Sequence, residues 1–173
     1  MSKRSDKAGE PKVRPAAAPK PQDASRGVGR IKAATHASLA ALDALEVDSL
    51  VLVLPEDERP LLGAAGLLDW RMCGWLSRTV LAGTVKGLRS ERVLTHASGR
   101  VPVQRVFVFG GGPKQEMARN LPALIPEIAR VVADAGSEKV ALSSGCAPQV
   151  TLEALEGAPR ELLDRLHVVF DEG

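Results

Sequence analysis

The order of apolar and helical segments predicts an α/β fold, a three-layer α/β/α sandwich whose sheet is mixed and mostly parallel. Strand-like segments alternate with helical ones along the 173 residues, which is typical of a sheet with helices on both faces. Several apolar segments are continuous rather than alternating, as in strands that are covered on both sides. Apolar residues make up 45% of the chain, which is enough to form one core.

The first half of the folded part is predicted to contain two helices and three strands. A continuous apolar run after Ser49 is stopped by Pro55, which indicates a short buried strand. Apolar residues then recur on one helical face, and Gly83 stands where this helix is expected to end. In order, the predictions are a short helix over 37–45, a strand over 50–54, a helix over 63–82, and strands over 92–96 and 104–109.

The second half is predicted to continue with a helix, a strand, a helix and a strand. The first of these helices has an apolar period but contains Pro122 and Pro126. We therefore expect it either to start at one of the two prolines or to kink. Gly136 is expected to end it. The predicted elements are a helix within 115–135, a strand over 140–142, a helix over 159–165 and a strand over 167–170.

Charge divides the chain into two parts. Residues 1–34 carry nine basic and three acidic groups, a net charge of +6, whereas residues 35–173 carry a net charge of −4. The first part is rich in proline and has almost no large apolar residue, so we expect a disordered tail followed by one domain over 35–173. The tail is either a solubilising segment or an arm for nucleic acid or another polyanion. Its basic residues are Lys3, Arg4, Lys7, Lys12, Arg14, Lys20, Arg26, Arg30 and Lys32.

Composition argues against several classes of protein. No apolar stretch is long enough to span a bilayer, and the charged N-terminus lacks a signal-peptide pattern, so we expect a cytoplasmic protein. Cys73 and Cys146 do not form a disulfide framework. Aromatic residues make up only 3% of the chain, with no Tyr, which disfavours stacking platforms for single-stranded nucleic acid.

A succession of short motifs runs through residues 44–145. It comprises the strand from Asp48 to Leu54, then Leu62-Gly63-Ala64-Ala65, the helix end Leu76-Ser77-Arg78, the turn Gly83-Thr84-Val85-Lys86-Gly87, Glu91 before a strand, and the strand Arg105-Val106-Phe107-Val108-Phe109 running into Gly110. In order and spacing this succession resembles the N-terminal domain of the leucyl aminopeptidase (cytosol aminopeptidase) family. The departures from the family are the triple glycine before Pro113, the prolines in the helix that follows, and the basic tail.

The resemblance implies a macro-domain-like fold without a catalytic residue. In that family the peptidase is a separate C-terminal domain that holds two metal ions, and its Asn-Thr-Asp-Ala-Glu-Gly-Arg motif has no counterpart in this chain. We therefore expect no enzymatic activity, no metal and no cofactor. In the family, the N-terminal domain contributes to hexamer assembly, and some bacterial members bind DNA.

The glycine run after the second of the paired strands is the best candidate for a small-ligand site. Gly110, Gly111 and Gly112 lie at the carboxyl end of a strand and lead toward a helix, where backbone amides can hold an anion. Lys114 is placed to help. The alternative is a tight turn with no ligand, because the run matches no Walker loop or dinucleotide fingerprint and Pro113 removes one donor.

Two further groups of residues are weaker candidates. Cys146 follows a strand and a glycine turn, where a nucleophile can sit, but a small buried thiol is the favoured interpretation. The histidines are far apart in sequence and indicate no metal site. Both tryptophans lie in one helical region, which favours either a protein interface or core packing. The candidate interface residues are Trp70, Arg71, Trp75 and Arg78. Alternatively, Arg59, Arg71 and Arg78 pair with Asp57 or Asp69 on a solvated face.

The sequence therefore favours a non-catalytic binding or assembly module that associates with itself or with a protein partner. Two alternatives stay open. One is a nucleic-acid-associated protein that uses the basic tail, and the other is an anion or nucleotide binder, of the ADP-ribose sort, at the glycine run.

Overall fold

The apolar runs of the sequence form a six-stranded sheet in the computed structural model, which describes residues 31–171. The disorder expected for residues 1–30 lies outside the described residues. Neighbouring strands follow the order β1-β6-β5-β2-β4-β3, and every pair is parallel except β3 with β4. The strands are β1 (Ala33–His36), β2 (Ser49–Pro55), β3 (Arg92–His96), β4 (Arg105–Gly112), β5 (Val140–Ser143) and β6 (Leu166–Phe170).

Helices cover both faces of this sheet. They are α1 (Leu39–Asp43), α2 (Gly63–Arg71), α3 (Trp75–Leu81), α4 (Met117–Asp134), α5 (Pro148–Leu155) and α6 (Arg160–Leu163), with a 3-10 turn at Lys114–Glu116. All seven residues of β2 are buried, and alternate side chains contribute to two separate cores. Val51 and Val53 pack with α4, α5 and α6, whereas Leu50 and Leu52 pack with α1, α2 and α3. The predicted three-layer α/β/α sandwich with a mixed, mostly parallel sheet is confirmed.

Two elements escaped the sequence analysis. The edge strand β1 begins at Ala33, two residues before the predicted start of the domain, and three of its four residues are exposed. An exposed run of alanines carries no apolar signal for a strand. Helix α5 was not predicted either, although Pro148 stands at its first position, where proline is favoured.

The predicted helix over 63–82 is wrong as a single element, because it is broken between Arg71 and Trp75. Cys73 and Gly74 both have positive φ angles, of 55° and 75°, which no helix interior accommodates. The carboxylate of Asp69 accepts hydrogen bonds from the backbone amide and the hydroxyl of Ser77, at 3.0 and 2.5 Å. This contact satisfies one amide donor in the first turn of α3, so the Asp69 side chain stabilises the helix start after the break.

Helix α4 runs through both of its prolines, so the prediction that it starts at one of them is wrong. The helix begins at Met117, and Pro122 and Pro126 lie inside it. An interior proline costs about 3 kcal/mol because a hydrogen bond is lost. The apolar side of α4 offsets this cost by burying Leu121 and Ile125 against β2 and β4. Gly136 has a φ of 69° just after α4, and Gly83 has one of 72° just after α3, which confirms both predicted helix ends.

Candidate functional site

A cleft opens where the parallel strands β2, β4, β5 and β6 reach their carboxyl ends. It has a volume of about 340 Å³, and the segment that follows each of these strands contributes to its wall. Ligands of open α/β sheets bind at this edge, because the strand ends and the helix starts meet there. The lining residues used below are Glu58, Leu62, Gly63, Lys114, Ala118, Gly145, Cys146, Val150 and Asp171.

Asp171 lies at the centre of the cleft, directly after β6. Its carboxylate accepts hydrogen bonds from the amide of Ala64 at 2.6 Å, the hydroxyl of Ser143 at 2.6 Å and the amide of Gly145 at 3.1 Å. The side chain is 9% exposed, so these contacts compensate for the loss of water around a buried charge. Asp171 thereby links the start of α2 to the loop between β5 and α5, and both segments line the cleft.

Two glycines allow the cleft walls to approach Asp171 and β2. Gly63 has a φ of 55°, and a Cβ atom there would overlap the Asp171 carboxylate. Gly145 has a φ of 66°, and its Cβ would lie 2.9 Å from the carbonyl oxygen of Val53. Any larger residue at either position therefore requires both a strained backbone and a shift of the wall.

Lys114 is the cation that lines the cleft. Its ammonium group forms an ion pair with Glu58 at 2.9 Å and donates a hydrogen bond to the carbonyl oxygen of Gly145 at 2.9 Å. Its backbone amide donates to the Asp57 carboxylate at 2.8 Å. Lys114 thus connects the loops that follow β2, β4 and β5, and its side chain stays partly exposed.

Helices α2 and α5 begin at the cleft, and so does the 3-10 turn that leads into α4. The first amides of a helix have no partner within that helix and carry a partial positive charge. At α2, the Ala64 amide is taken by Asp171. At α5 the first residue is Pro148 and no side chain caps the helix, so this wall presents the positive end of a helix to the cleft.

Cys146 lines the same cleft but does not have the environment of a nucleophile. Burial raises the pKa of its thiol, and the nearby charge of Lys114 and the Ser144 hydroxyl offset only part of this effect. The group is therefore a protonated thiol near neutral pH, whereas a nucleophilic cysteine needs the thiolate.

The predicted glycine run forms the last part of β4 and lies apart from the cleft. Gly110 and Gly112 donate their amides to the carbonyl oxygens of Glu91 and Gly87, both at 2.9 Å, so these amides are not free for an anion. A Cβ at Gly110 would overlap the carbonyl of Leu88, which explains the glycine there by close backbone packing. Gly110 and Gly111 line a separate pocket of about 110 Å³. Of the predicted ligand residues, the structure thus brings Lys114 to the cleft and places the glycines elsewhere.

The predicted interface residues lie on α2 and α3, with unequal exposure. Trp70 is 64% exposed, and the guanidinium carbon of Arg71 lies 5.2 Å from the centre of its ring. Arg71 pairs with Asp43, and Arg78 donates to the carbonyl of Cys73, so neither arginine pairs with Asp57 or Asp69 as one alternative proposed. Trp75 is partly buried against the core.

The remaining predictions from the sequence concern the basic tail, metal ligands and membrane spans, and only part of the tail lies within the described residues. Of the nine basic residues of the tail, Lys32 is described and exposed, while the other eight lie outside the described range. Between residues 31 and 171, no group of three or more His, Cys, Asp or Glu side chains is placed to hold a metal ion. Over the same range, none of the helices combines the length and the apolar character that crossing a bilayer requires.

The sequence analysis missed Asp171, Glu58 and Gly63 as cleft residues. Asp171 comes directly after the last predicted strand and Glu58 lies in the turn after the first, so a place beyond the carboxyl end of a strand was the available signal for these two residues. The partners of Asp171 could not be read from the sequence, because Ala64 is 107 residues away.

No protein-family model matches the sequence, and no curated protein matches it. Several solved structures have a similar fold. The macrodomain of Mycobacterium tuberculosis DarG is 16% identical, with a TM-score of 0.55 over 81% of this chain and 98% of that one. The Oceanobacillus iheyensis macrodomain with ADP is 10% identical, with a TM-score of 0.51 over 76% of this chain and 80% of that one.

A leucine aminopeptidase is also among the similar structures. The tomato enzyme, in a mutant form, is 14% identical, with a TM-score of 0.53 over 79% of this chain. The chain spans about a third of that enzyme's length, since the match covers 32% of it. The particular resemblance to the aminopeptidase N-terminal domain therefore stays a prediction. The similarities together show that the protein has a macrodomain-like fold.

Proposed function

We propose that the cleft binds a small anionic ligand of the ADP or ADP-ribose class. The observation that carries this proposal is the convergence of the Lys114 ammonium and the α5 start on one cleft at the carboxyl ends of four strands. A cation and free helix amides are the groups that bind phosphate in proteins. This proposal adopts one of the alternatives drawn from the sequence but moves the site from the glycine run to the cleft.

The cleft walls offer complementary surfaces for such a ligand. Leu62, Ala118 and Val150 provide apolar contact, and the volume lies within the range of small-molecule sites. A phosphate at Lys114 would compete with Glu58 for the ammonium group, so binding replaces an internal ion pair by a ligand contact. The macrodomain from Oceanobacillus iheyensis, whose structure contains ADP, supports the choice of ligand class.

We further propose that the protein binds this ligand without hydrolysing it. Cys146 is a protonated thiol, and the Asp171 carboxylate already accepts three hydrogen bonds from groups of the protein itself. Neither group is free to act as a nucleophile or a general base.

Thermal unfolding of the full chain with ADP-ribose, ADP or AMP tests the proposal. A ligand at a hundred times its Kd stabilises the folded state by about 2.7 kcal/mol, which raises the Tm measurably. Two exposed alanines of α4 give a matched pair of variants, since Ala118 lines the cleft and Ala133 lies near the far end of the helix. Ala118→Trp should abolish the rise in Tm and Ala133→Trp should retain it. Failure of all three ligands to raise the Tm of the unmodified chain, or an equal rise in both variants, would refute the proposal.

We propose protein association, the leading hypothesis from the sequence, as a second candidate function because large apolar side chains are exposed on α2 and α3. Trp70 of α2 is 64% exposed and Leu81 of α3 is 86% exposed. The guanidinium group of Arg71 lies over the Trp70 ring. Exposed aromatic and arginine side chains are enriched at the centres of protein interfaces. Light scattering of the full chain should give a mass above the monomer that falls with Trp70→Ala. A monomer at all concentrations would remove self-association from consideration.

A further inference from the structure

We propose that the outer side of β3 binds an extended acidic peptide of a partner protein, which adds to the sheet as a seventh strand. We call this surface the β3 flank and define it by Arg89, Arg92, Leu94 and His96. Strand β3 stands last in the strand order, with β4 on one side only. None of the four residues of the flank lines the cleft, so the proposal is independent of the proposed ligand site.

The hydrogen bonds between β3 and β4 indicate which backbone groups of β3 face outward. At one end Gly110 donates to the carbonyl oxygen of Glu91 at 2.9 Å. At the other end Ala97 donates to the carbonyl oxygen of Gln104 at 3.4 Å. In an antiparallel pair, residues that bond to the partner strand alternate with residues whose amide and carbonyl point away from it. The register continues between these ends without a bulge. The outward-facing residues are therefore Arg92, Leu94 and His96.

These three residues present three amides and three carbonyl oxygens beside β3. Within residues 31–171, no backbone hydrogen bond from a loop or from another strand reaches them. An extended peptide satisfies such groups by continuing the ladder that already joins β3 to β4. The flank therefore offers the main-chain contacts that give a peptide its affinity.

The side chains of the outward-facing residues determine which peptide fits. They lie on one face of β3, because successive side chains of a strand point to opposite faces. Leu94 is 55% exposed and stands between the exposed side chains of Arg92 and His96. Cross-strand pairs are stabilising when apolar residues face each other and when a carboxylate faces a cation. The flank thus matches a peptide in which one apolar residue lies between two acidic residues, each two positions away.

The charges around β3 also favour an acidic partner. Residues 86–100 carry four Lys or Arg side chains and one carboxylate, that of Glu91. Glu91 accepts hydrogen bonds from the amides of Lys86 and Gly87 at 2.8 and 2.6 Å. Its charge is therefore directed at the backbone of its own loop rather than at the flank.

The arginines of this segment keep donors for a peptide carboxylate. Glu127 of α4 pairs with Nε of Arg92 at 2.5 Å, which leaves the two terminal nitrogens of the guanidinium for a second carboxylate. Arg89 and Arg100 are exposed on either side of β3. Neither of them forms an ion pair with another described residue. A carboxylate from a partner would meet cations that the domain itself does not neutralise.

Two other occupants have the wrong charge for the flank. A second copy of this chain that pairs about Leu94 would place Arg92 opposite His96, with no carboxylate facing either of them. Residues 1–30 of this chain carry eight basic and three acidic groups, so they would add like charge to the flank. An acidic segment of another protein supplies what both lack.

Fluorescence anisotropy of the full chain with a labelled peptide containing Glu-Val-Leu-Val-Glu tests the proposal. We expect this peptide to bind at low salt, and one containing Lys-Val-Leu-Val-Lys to bind about tenfold more weakly or not at all. Methylation of the amide nitrogen of the central Leu removes a donor that faces β3, and should weaken binding by about tenfold. Methylation of a neighbouring Val is the matched control, because that amide faces away from β3, and should change the affinity by no more than about twofold.

Two variants of one exposed residue test the flank from the side of the protein. Leu94→Glu and Leu94→Lys remove the same leucine but introduce opposite charges between Arg92 and His96. The acidic peptide should bind Leu94→Lys about fivefold or more tightly than Leu94→Glu, a difference in sign that unfolding does not imitate.

Equal affinities of the two variants, or of the two methylated peptides, would overturn the proposal. So would the absence of binding at low salt, or equal binding of the acidic and the basic peptide. A dimer in light scattering that Leu94→Glu dissociates would also overturn it, because a second copy would then occupy the flank.

Discussion

The two edges of the sheet carry the same contact, in which one aspartate accepts two backbone amides and one serine hydroxyl. At the carboxyl edge Asp171 accepts from Ala64, Gly145 and Ser143. At the amino edge Asp48 accepts from Glu138, Lys139 and Ser49. A carboxylate that accepts several amide donors holds chain segments that are distant in sequence, which is how each edge of this sheet is closed.

The difference between the two edges lies in what each aspartate holds together. Asp48 joins the start of β2 to the turn before β5. Asp171 joins two walls of an open cleft at which helices begin. The comparison teaches that the same contact closes a turn in one place and joins the walls of the proposed ligand site in the other. Substitutions at the two positions should therefore differ in their effect on binding more than in their effect on folding.

The largest effect is expected from Asp171→Ala. The change leaves the amides of Ala64 and Gly145 without their acceptor in a buried place. Hydrogen bonds to charged groups contribute roughly 1.5–3 kcal/mol each, and we expect the free energy of unfolding to fall by about 3 kcal/mol. Urea unfolding measures this change. ADP-ribose should no longer raise the Tm, because the cleft walls are released. Unchanged stability would contradict the role given to Asp171.

A smaller loss of stability, with binding retained, is expected from Asp48→Asn. Asp48 is only partly buried, so we expect a loss of about 1 kcal/mol near neutral pH. The rise in Tm with ADP-ribose should be that of the unmodified chain. If this variant abolishes the rise while staying folded, the proposed contrast between the two edges is wrong.

Acid should remove the contribution of Asp48 in a predictable direction. Burial raises the pKa of this carboxyl, but the hydrogen bonds from Ser49, Lys139 and Glu138 and the charge of Arg105 outweigh burial and leave the pKa below 3.8. The stabilisation is then fully present above the unfolded pKa and is lost as the pH falls through the folded one. Unfolding curves between pH 7 and 2 should accordingly converge for Asp48→Asn and the unmodified chain at the acid end. If the stabilities of the two proteins instead differ by the same amount at every pH, Asp48 does not contribute to the pH dependence of stability.

Glu58→Gln should tighten binding of ADP-ribose by a modest factor. The substitution frees the Lys114 ammonium from its ion pair, and an exposed pair contributes up to about 1 kcal/mol, or roughly fivefold in affinity. Lys114→Gln is the counterpart and should weaken binding. Isothermal titration calorimetry on both variants checks the signs. Weaker binding in Glu58→Gln would mean that the carboxylate contacts the ligand itself.

The smallest effect is the absence of turnover. We expect no hydrolysis of leucine p-nitroanilide by the full chain in the presence of Mn²⁺ or Zn²⁺, as the non-catalytic interpretation of the sequence predicts. A colorimetric assay is sufficient. Robust turnover that survives purification to homogeneity would overturn the non-catalytic interpretation.

The sequence predicts the fold of this protein better than its site. Continuous apolar runs predict β2 and β5, and the glycines after α3 and α4 mark where those helices end, because these signals are local. The break at Cys73–Gly74 was missed because it depends on a cap from Asp69 across eight residues. Lys114 was found from its place after a strand, whereas Asp171 was missed because its donors come from α2, from β5 and from the loop after β5. Close backbone packing accounts for the glycine at Gly110, where a Cβ would overlap the carbonyl of Leu88, and ligand binding at the glycine run stays a prediction.

The most direct test of the proposed ligand site is a ¹⁵N NMR titration of the full chain with ADP-ribose. The two edges of the sheet provide their own internal comparison in this experiment. We expect the amide signals of Gly63, Gly145 and Cys146 to shift progressively, while those of Glu138 and Lys139 stay in place. Shifts confined to the amino edge, or no shifts at millimolar ligand, would contradict the claim that the cleft is the ligand site.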